Sequence, residues 1–288
     1  MILKKDIIII GGGPAGIAAA IQLKRYSINS LIIEKDTLGG LLKNAYKVEN
    51  YLGFPDGIQG EELIKLTQQH CENFGINVLY DEVINLEYID NKFTIKTKTK
   101  IFECKITIIA SGTKPKTIKN YSSDKILYEV YKIRNCKDKT IGIIGAGDAA
   151  FDYALTLAKN NKVIIFNRSE KNKCNPVLFD LCKKNNNIKI LYNRILNSLQ
   201  LTDIKIKTIF QYKNSFENYL TDYIIFAVGR EPELNFLQKS IKEELKYLTD
   251  NQKLFLIGDV ANGLARQASI AIGEGIKAAM TIKEKYKI

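Results

Sequence analysis

The sequence predicts an α/β fold: two Rossmann-like domains, three-layer with β-meanders. Three observations carry this. Apolar runs at 7–10, 106–110, 141–144, 163–166, 224–228 and 254–257 are short and rich in β-branched residues, as buried parallel strands are. A strand, a glycine turn, a helix and a second strand follow one another twice, near residues 7–34 and 140–166. Each copy is then followed by shorter strand-like runs that read as a meander.

The first copy opens with Ile7-Ile8-Ile9-Ile10 and turns at Gly11-Gly12-Gly13-Pro14-Ala15-Gly16. Gly11 makes the tight turn, Gly13 lets backbone approach a pyrophosphate, and Gly16 lets the helix pack on the strand. Pro14 suits the first helical position, where its missing N–H costs nothing. The helix expected over 15–26 aims its unpaired N–H groups at the phosphates. After the run 31–33 comes Glu34, 21 residues beyond Gly13 and placed to accept from a ribose hydroxyl. A helix follows over 60–74, with Glu61 and Glu62 in its first turn and Gly75 as its cap. Strands are expected at 76–80, 83–87, 92–97 and 101–109. The second copy has a strand at 140–144, the turn Gly145-Ala146-Gly147-Asp148-Ala149-Ala150, a helix over 151–159 and a strand at 163–166. Alanine is an allowed variant in its last position. A second meander is expected at 191–193, 205–212 and 219–225. A strand at 254–258, then Asp259, then a helix over 266–285 close the pattern. Two dinucleotide units side by side suggest electron passage between two nucleotides.

With 288 residues the chain has room for about two domains, and no apolar run reaches membrane-spanning length. The first strand starts so early that no signal peptide is expected. The formal charge is +12, but the lysines are scattered along the chain without an aromatic-basic motif. Nucleic-acid and membrane binding are therefore not expected, whereas a basic surface would attract an acidic redox partner or a phosphate-bearing ligand. The five cysteines, Cys71, Cys104, Cys136, Cys174 and Cys182, include no Cys-x-x-Cys. That excludes a zinc ribbon and a local dithiol, and fits a reducing cytoplasm. His70 is the only histidine and shares a helix stripe with Leu63, Leu66 and Thr67, so Ser-His-Asp and histidine-metal chemistry are excluded.

Further motifs are Leu38-Gly39-Gly40-Leu41, Val48-Glu49-Asn50-Tyr51-Leu52-Gly53-Phe54-Pro55, Gly57-Ile58-Gln59-Gly60-Glu61-Glu62-Leu63, and Gly258-Asp259-Val260 with Arg266-Gln267-Ala268. With the first glycine turn and Glu34, these resemble the low-molecular-weight thioredoxin reductase family of FAD- and NAD(P)-binding flavoproteins over nearly the whole chain. The resemblance implies an FAD domain formed by residues 1–115 and 233–288, an NAD(P) domain at 116–232, and a homodimer. It implies FAD contacts from Gly11, Gly13, Pro14, Ala15, Gly16, Glu34, Lys35, Gly39, Gly40, Leu41, Asn50, Val83, Ala110, Gly112, Gly258, Asp259, Arg266, Gln267 and Ala268. It implies NAD(P) contacts from Gly145, Gly147, Asp148, Ala149, Ala150, Asn167, Arg168, Lys173 and Gly229. No metal site is expected. A helix N-terminus near Arg266 suits negative charge on the flavin's pyrimidine end.

The sequence departs from that family in three places. The family's second redox cysteine lies 14 residues before the first glycine of the second turn, which here is Tyr131, so the pair's slot is Tyr128-Glu129-Val130-Tyr131. Phenols cannot form a disulfide, which excludes the usual dithiol route. The two tyrosines either stack on the flavin or fill the vacated space. Cys136 alone offers at most a mixed disulfide. At the end of the second domain's strand the NADPH-binding relatives carry His-Arg-Arg; this chain has Phe166-Asn167-Arg168-Ser169-Glu170-Lys171-Asn172-Lys173. The basic residues and the lack of a strand-end acid favour NADPH over NADH. Leu41 stands where relatives usually have Gln. The second glycine turn also resembles the ferredoxin/flavodoxin–NADP reductases of thioredoxin-reductase type, which lack the cysteine pair but carry a C-terminal extension with no counterpart here.

The expected function is an FAD-dependent NAD(P)H oxidoreductase whose acceptor is external. A ferredoxin- or flavodoxin-type carrier is the first choice. A small-molecule reductase for a quinone, a disulfide or oxygen is the enzyme alternative, and a flavin-bearing sensor or interaction subunit is the non-enzyme one. The flavin carries the chemistry, so no side-chain catalyst is expected; Asn50, Tyr128 and Tyr131 are the flavin-adjacent candidates.

Overall fold

The structure is a computed structural model describing residues 1–118 and 121–286. Contacts divide the chain into two compact units. Unit 1 is Met1–Lys43, Glu49–Lys114 and Glu231–Ile288; unit 2 is Asn44–Val48 and Pro115–Arg230.

Unit 1 is built on a five-stranded parallel sheet in the order Leu254–Leu256, Ile106–Ile109, Ile7–Ile10, Ser30–Glu34, Asn77–Tyr80. The central strands Ile7–Ile10 and Ile106–Ile109 are buried on both faces, which is why they read as unbroken apolar runs. One face packs on the helices Pro14–Arg25 and Ala268–Tyr286. These two helices approach closely: a Cβ at Gly275 would lie 2.3 Å from the Ala15 carbonyl oxygen. The other face packs on the meander Val83–Ile89, Lys92–Thr97, Ile101–Cys104, whose outer strand pairs in parallel with Ile2–Lys4. This gives the helix, sheet, meander layering expected of the sequence. The helix Gly60–Asn73 ends at Gly75 (φ +58°), whose N–H donates to the Glu72 carbonyl.

Unit 2 repeats the plan. Its parallel sheet runs Ile126–Leu127, Tyr223–Phe226, Thr140–Ile144, Lys162–Phe166, Ile188–Leu191. Its antiparallel meander is Ile195–Leu201, Ile206–Tyr212, Ser215–Thr221. The strand expected at 191–193 is corrected: residues 188–191 extend the parallel sheet, and the meander begins at Ile195. Polar Asn185-Asn186-Asn187 hid the start of that strand. Two helices went unread, Pro176–Lys184 and Lys239–Asp250. The first begins at Asn175, whose side chain accepts from the Val177 N–H, followed by Pro176.

Residues 44–48 belong to unit 2 through side-chain anchors. Buried Asn44 donates to Glu129 (3.2 Å) and accepts the Tyr131 N–H (3.2 Å), and Glu129 pairs with Arg230 (3.0 Å). The Tyr46 N–H donates to the Asp152 carboxylate (2.9 Å), and Tyr46 packs on the core of unit 2. Burial pushes Asp152 up to about 7; Asp148 adds to this and the Tyr46 N–H opposes it.

The folded Asp152 thus holds its proton more tightly than the unfolded chain, whose Asp titrates near ~3.9. Stability is therefore lost as pH rises from the unfolded value toward 7, and the loss persists above it. Asp152→Asn keeps an acceptor for Tyr46 and removes the charge. Denaturant melts should find it more stable than the parent at alkaline pH by roughly 1–3 kcal/mol, with the gap closing as pH falls toward ~4.

Candidate functional site

Each unit contributes one glycine turn at the carboxyl ends of its parallel strands, where sheets of this kind take ligands. In unit 1 the three glycines differ physically. At Gly11 (φ +105°) a Cβ would lie 2.4 Å from the Ala110 carbonyl oxygen. At Gly16 it would lie 2.0 Å from the Gly11 carbonyl oxygen. At Gly13 it would meet nothing within 4 Å. Two glycines are compelled by protein packing, whereas Gly13 faces open space in the place where a pyrophosphate needs it. That opening at the turn leaves backbone room for the pyrophosphate of a dinucleotide, so the residues fit FAD.

Glu34 ends its strand with only 8% exposure. One carboxylate oxygen accepts the Gly12 N–H (2.6 Å) and the other the Asp36 N–H (2.8 Å). The carboxylate therefore fixes the turn, and each oxygen keeps a lone pair for a ribose hydroxyl. The Gly39 N–H donates to the Gly12 carbonyl (2.8 Å), and a Cβ at Gly40 would touch Gly13 Cα at 3.3 Å, so the Gly39-Gly40-Leu41 loop backs onto the first turn. The Ala110 N–H donates to the Ile10 carbonyl (2.8 Å), and its own carbonyl occupies the place a Cβ at Gly11 would need. Asp259 lies in the turn Gly258–Val260, anchored by the Gly258 N–H donating to Glu274 (2.6 Å). Glu274 also accepts from Asn262 (2.9 Å). The sequence reading missed Glu274, although an acid in an otherwise apolar and small-residue stretch of that helix is the available signal. Asn50 donates to the Gln267 side chain (2.8 Å) just before the helix Ala268–Tyr286 begins. Residues 217 apart in sequence are thus joined beside the helix end expected to face the flavin. Lys35 pairs with Glu233 (3.7 Å), whose N–H donates to Gly112. Val83 opens the meander.

In unit 2, Gly145 (φ +132°) is pressed against the Ala227 carbonyl oxygen, where a Cβ would lie at 2.2 Å, while Gly147 is open. Gly229 (φ +113°) accepts the Lys116 N–H. Ala149 is exposed and Ala150 fully buried at the start of the helix Asp148–Leu157. Asp148 accepts the Asn175 N–H (2.6 Å), tying the next helix to the turn. Asn167 is 3% exposed, and all its side-chain hydrogen-bonding positions serve its own loop. Its oxygen accepts the Ser169 N–H and hydroxyl; its amide donates to the Lys171 carbonyl and to Asn172. Asn172 in turn donates to the Tyr192 hydroxyl (3.1 Å). Asn167 shapes the loop that exposes Arg168, Lys171 and Lys173.

The two tyrosines separate. Tyr128 stacks on Phe226 (5.7 Å), and its hydroxyl accepts the Ile118 N–H (3.0 Å), so it fills space inside unit 2. Tyr131 is 43% exposed. All five cysteines are free thiols. Burial pushes the Cys136 thiol up, away from the thiolate a mixed disulfide needs. His70 is an exposed helix-face residue against Phe74. Among the described residues no cluster of His, Cys, Asp or Glu is placed to hold a metal, and no helix is long and apolar enough to cross a membrane.

Residues 5–275 match the family model described as pyridine nucleotide-disulphide oxidoreductase. A protein of Clostridium pasteurianum, "34.2 kDa protein in rubredoxin operon", is 28% identical, with 98% of this chain and 96% of that protein covered. The thioredoxin reductase of Chlamydia trachomatis is 27% identical over 95% of this chain and 96% of its own. The crystal structure of Lactococcus lactis thioredoxin reductase superimposes with a TM-score of 0.85 at 24% identity, covering 97% of this chain and 98% of that one.

The two kinds of glycine make a separable expectation. Gly16→Ala should destabilise the protein by about 2–4 kcal/mol, because backbone must shift. Gly13→Ala should melt within about 1 kcal/mol of the parent without cofactor yet purify with much less bound FAD. Absorbance spectra and thermal melts of both variants check this.

Proposed function

The chain belongs to the pyridine nucleotide-disulphide oxidoreductase family, an NAD(P)H-dependent group of FAD flavoenzymes, and on that premise we propose that it hands its electrons to a small external carrier protein. Unit 1 holds FAD and unit 2 holds NAD(P)H in this reading. FAD, when bound in unit 1, would supply the hydride-accepting and electron-transfer chemistry. The chain's own residues bind and orient: Gly13 and Gly147 leave room for the two pyrophosphates, Glu34 holds a ribose, and the first N–H groups of the helix Ala268–Tyr286 favour negative charge. Arg168 and Lys173, on the loop shaped by Asn167, meet the additional phosphate of NADPH.

The observation that carries the choice of acceptor is the tyrosine slot. With Tyr128 stacked on Phe226 and tyrosine at both places of the family's cysteine pair, the family's own disulfide relay has no sulfur at that slot. The rubredoxin-operon relative supports a one-electron carrier of the ferredoxin, flavodoxin or rubredoxin kind. Free thiols also suit the cytoplasm. A homodimer belongs to the same reading. A cavity of about 450 Å³ in unit 1 is walled by Ile17, Ile21, Leu66, Phe74, Ile272 and Ile276, an apolar face that a second copy would cover.

Anaerobic titration with NADPH should bleach the visible flavin band, with NADH less effective. Arg168→Glu with Lys173→Glu should raise the NADPH requirement about tenfold, equivalent to ~1.4 kcal/mol, and leave NADH unchanged. Failure of both nucleotides to bleach the flavin would sink the reading. Turnover with ferredoxin, flavodoxin or rubredoxin should exceed turnover with quinone, disulfide or oxygen; the reverse order would reassign the acceptor. Sedimentation should find a dimer that Leu66→Asp with Ile276→Asp converts to monomer, and an unaltered mass would remove this face from the interface.

A further inference from the structure

The excess positive charge of this chain is not shared between its two units. Unit 1 carries 22 Lys and Arg against 21 Asp and Glu; unit 2 carries 21 against 10. A drift of composition toward lysine would act on both units alike. Unit 2 is the smaller unit, and for its size it is both richer in basic residues and poorer in acidic ones. Nearly all of the +12 therefore belongs to unit 2, a segregation that the linear scatter of lysines conceals.

Part of this charge is concentrated away from the nucleotide turn. The sheet of unit 2 is parallel, so all its strands start at one edge, and the glycine turn lies at the opposite one. At the starting edge stand Lys137, Lys139, Lys159 and Lys162, all exposed. Lys139 precedes the strand Thr140–Ile144, Lys162 opens Lys162–Phe166, and the Lys162 N–H donates to the Lys139 carbonyl (2.9 Å). Lys159 follows the helix Asp148–Leu157, its ammonium 4.9 Å over the Tyr46 ring. Among the described residues, none of these four ammonium groups forms an ion pair with a carboxylate. Asp138 stands between Lys137 and Lys139 in sequence, and the Asp222 carboxylate accepts the Thr140 N–H (2.8 Å).

The patch is also held rigid. Asn161 is 5% exposed. Its oxygen accepts the Lys139 N–H (3.0 Å), and its amide donates to the carbonyls of Cys136 and Leu157 (2.9 Å each). The Asp138 N–H donates to Asn160 (2.9 Å). One buried amide thus clamps the two lysine-bearing loops side by side. Like charges held together without counter-ions cost stability, and fixing their positions does nothing to reduce that cost. Lysines carried on backbone fixed in this way make a basic surface that a complementary anionic surface recognises.

We propose that the strand-start edge of unit 2, centred on Lys137, Lys139, Lys159 and Lys162, docks a carboxylate-rich surface of a partner protein. The proposal rests on the reading that electrons leave for a small acidic carrier, and it names the surface that carrier meets. The four groups are all lysines, point charges suited to carboxylates, with none of the arginine forks that favour phosphate oxygens. That chemistry favours a protein over a nucleic acid or a lipid headgroup.

The test uses the FAD-loaded full chain with an oxidised bacterial ferredoxin and a rubredoxin as probes. Lys137→Glu, Lys139→Glu and Lys162→Glu are combined; Lys65→Glu, Lys242→Glu and Lys277→Glu, exposed in unit 1, form the control triple. Calorimetric binding to the parent should weaken steeply with salt. The unit 2 triple should weaken it at least about tenfold at low salt, and the control triple should match the parent. Equal affinity of the two triples, salt-independent binding, or no binding of either carrier would overturn the proposal. So would lysine-dependent binding of a single-stranded RNA or of phosphatidylglycerol vesicles in place of the carriers. Flavin bleaching by NADPH is followed in the same samples. Lysine-dependent carrier binding without electron delivery would remove the acceptor reading and leave the docking surface standing, whereas absent bleaching in the parent would remove the enzyme reading alone.

Discussion

A single methyl added at Gly16 would sit 2.0 Å from the Gly11 carbonyl oxygen, so two pieces of backbone meet there with no room for a side chain. Much of unit 1 follows from that contact. The helix Pro14–Arg25 can start directly above the end of strand Ile7–Ile10 only if nothing stands between them. Its N–H groups then face the carboxyl edge of the sheet, and the Glu34 carboxylate can reach the Gly12 N–H. The second helix, Ala268–Tyr286, joins by the same device, with Gly275 set against Ala15. Unit 2 solves the problem less tightly. Gly145 makes the sharp turn against Ala227, but Ala150 takes the third place, so its helix tolerates one methyl where unit 1 tolerates none.

What was legible in the sequence was what depends on near neighbours. Glycine spacing, β-branched runs, the cap at Gly75 and the acid after the second strand are local, and they carried both sheets and the family resemblance. The helix Lys239–Asp250 escaped because its few buried side chains, Ile241 and Leu248, are set among charges. The strand Ile188–Leu191 escaped because asparagines precede it and a meander was expected there. Side-chain partnerships were illegible for a different reason. Asn167 looked like a ligand contact, yet its four side-chain hydrogen bonds close its own loop. Asn161, Glu274 and Asn44 attracted no notice, because an amide or acid reveals its partners only once distant backbone is brought beside it.

The tyrosine slot shows how one substituted pair divides into two separate outcomes. Tyr128 became interior, with ring and hydroxyl both used. Tyr131 kept an exposed ring at the head of a short helical turn, while its N–H is held by Asn44. The sequence offered stacking and filling as alternatives for both residues together; the packing treats each on its own terms. The same partition governs the polar residues around the glycine turns, where side chains that fix the backbone are distinct from the open positions that leave space for a ligand.

The short segment Asn44–Val48 has a consequence for how this protein can be taken apart. Unit 2 is not a cassette inserted once into another domain, because five of its residues arrive from far upstream between Lys43 and Glu49. A fragment running from Pro115 to Arg230 would lack the Tyr46 ring and the donor to Asp152, and would leave Glu129 without its Asn44 contact. Recombination that exchanges nucleotide-binding modules at the two obvious crossing points would therefore bring a module whose fitting piece stays behind in the recipient.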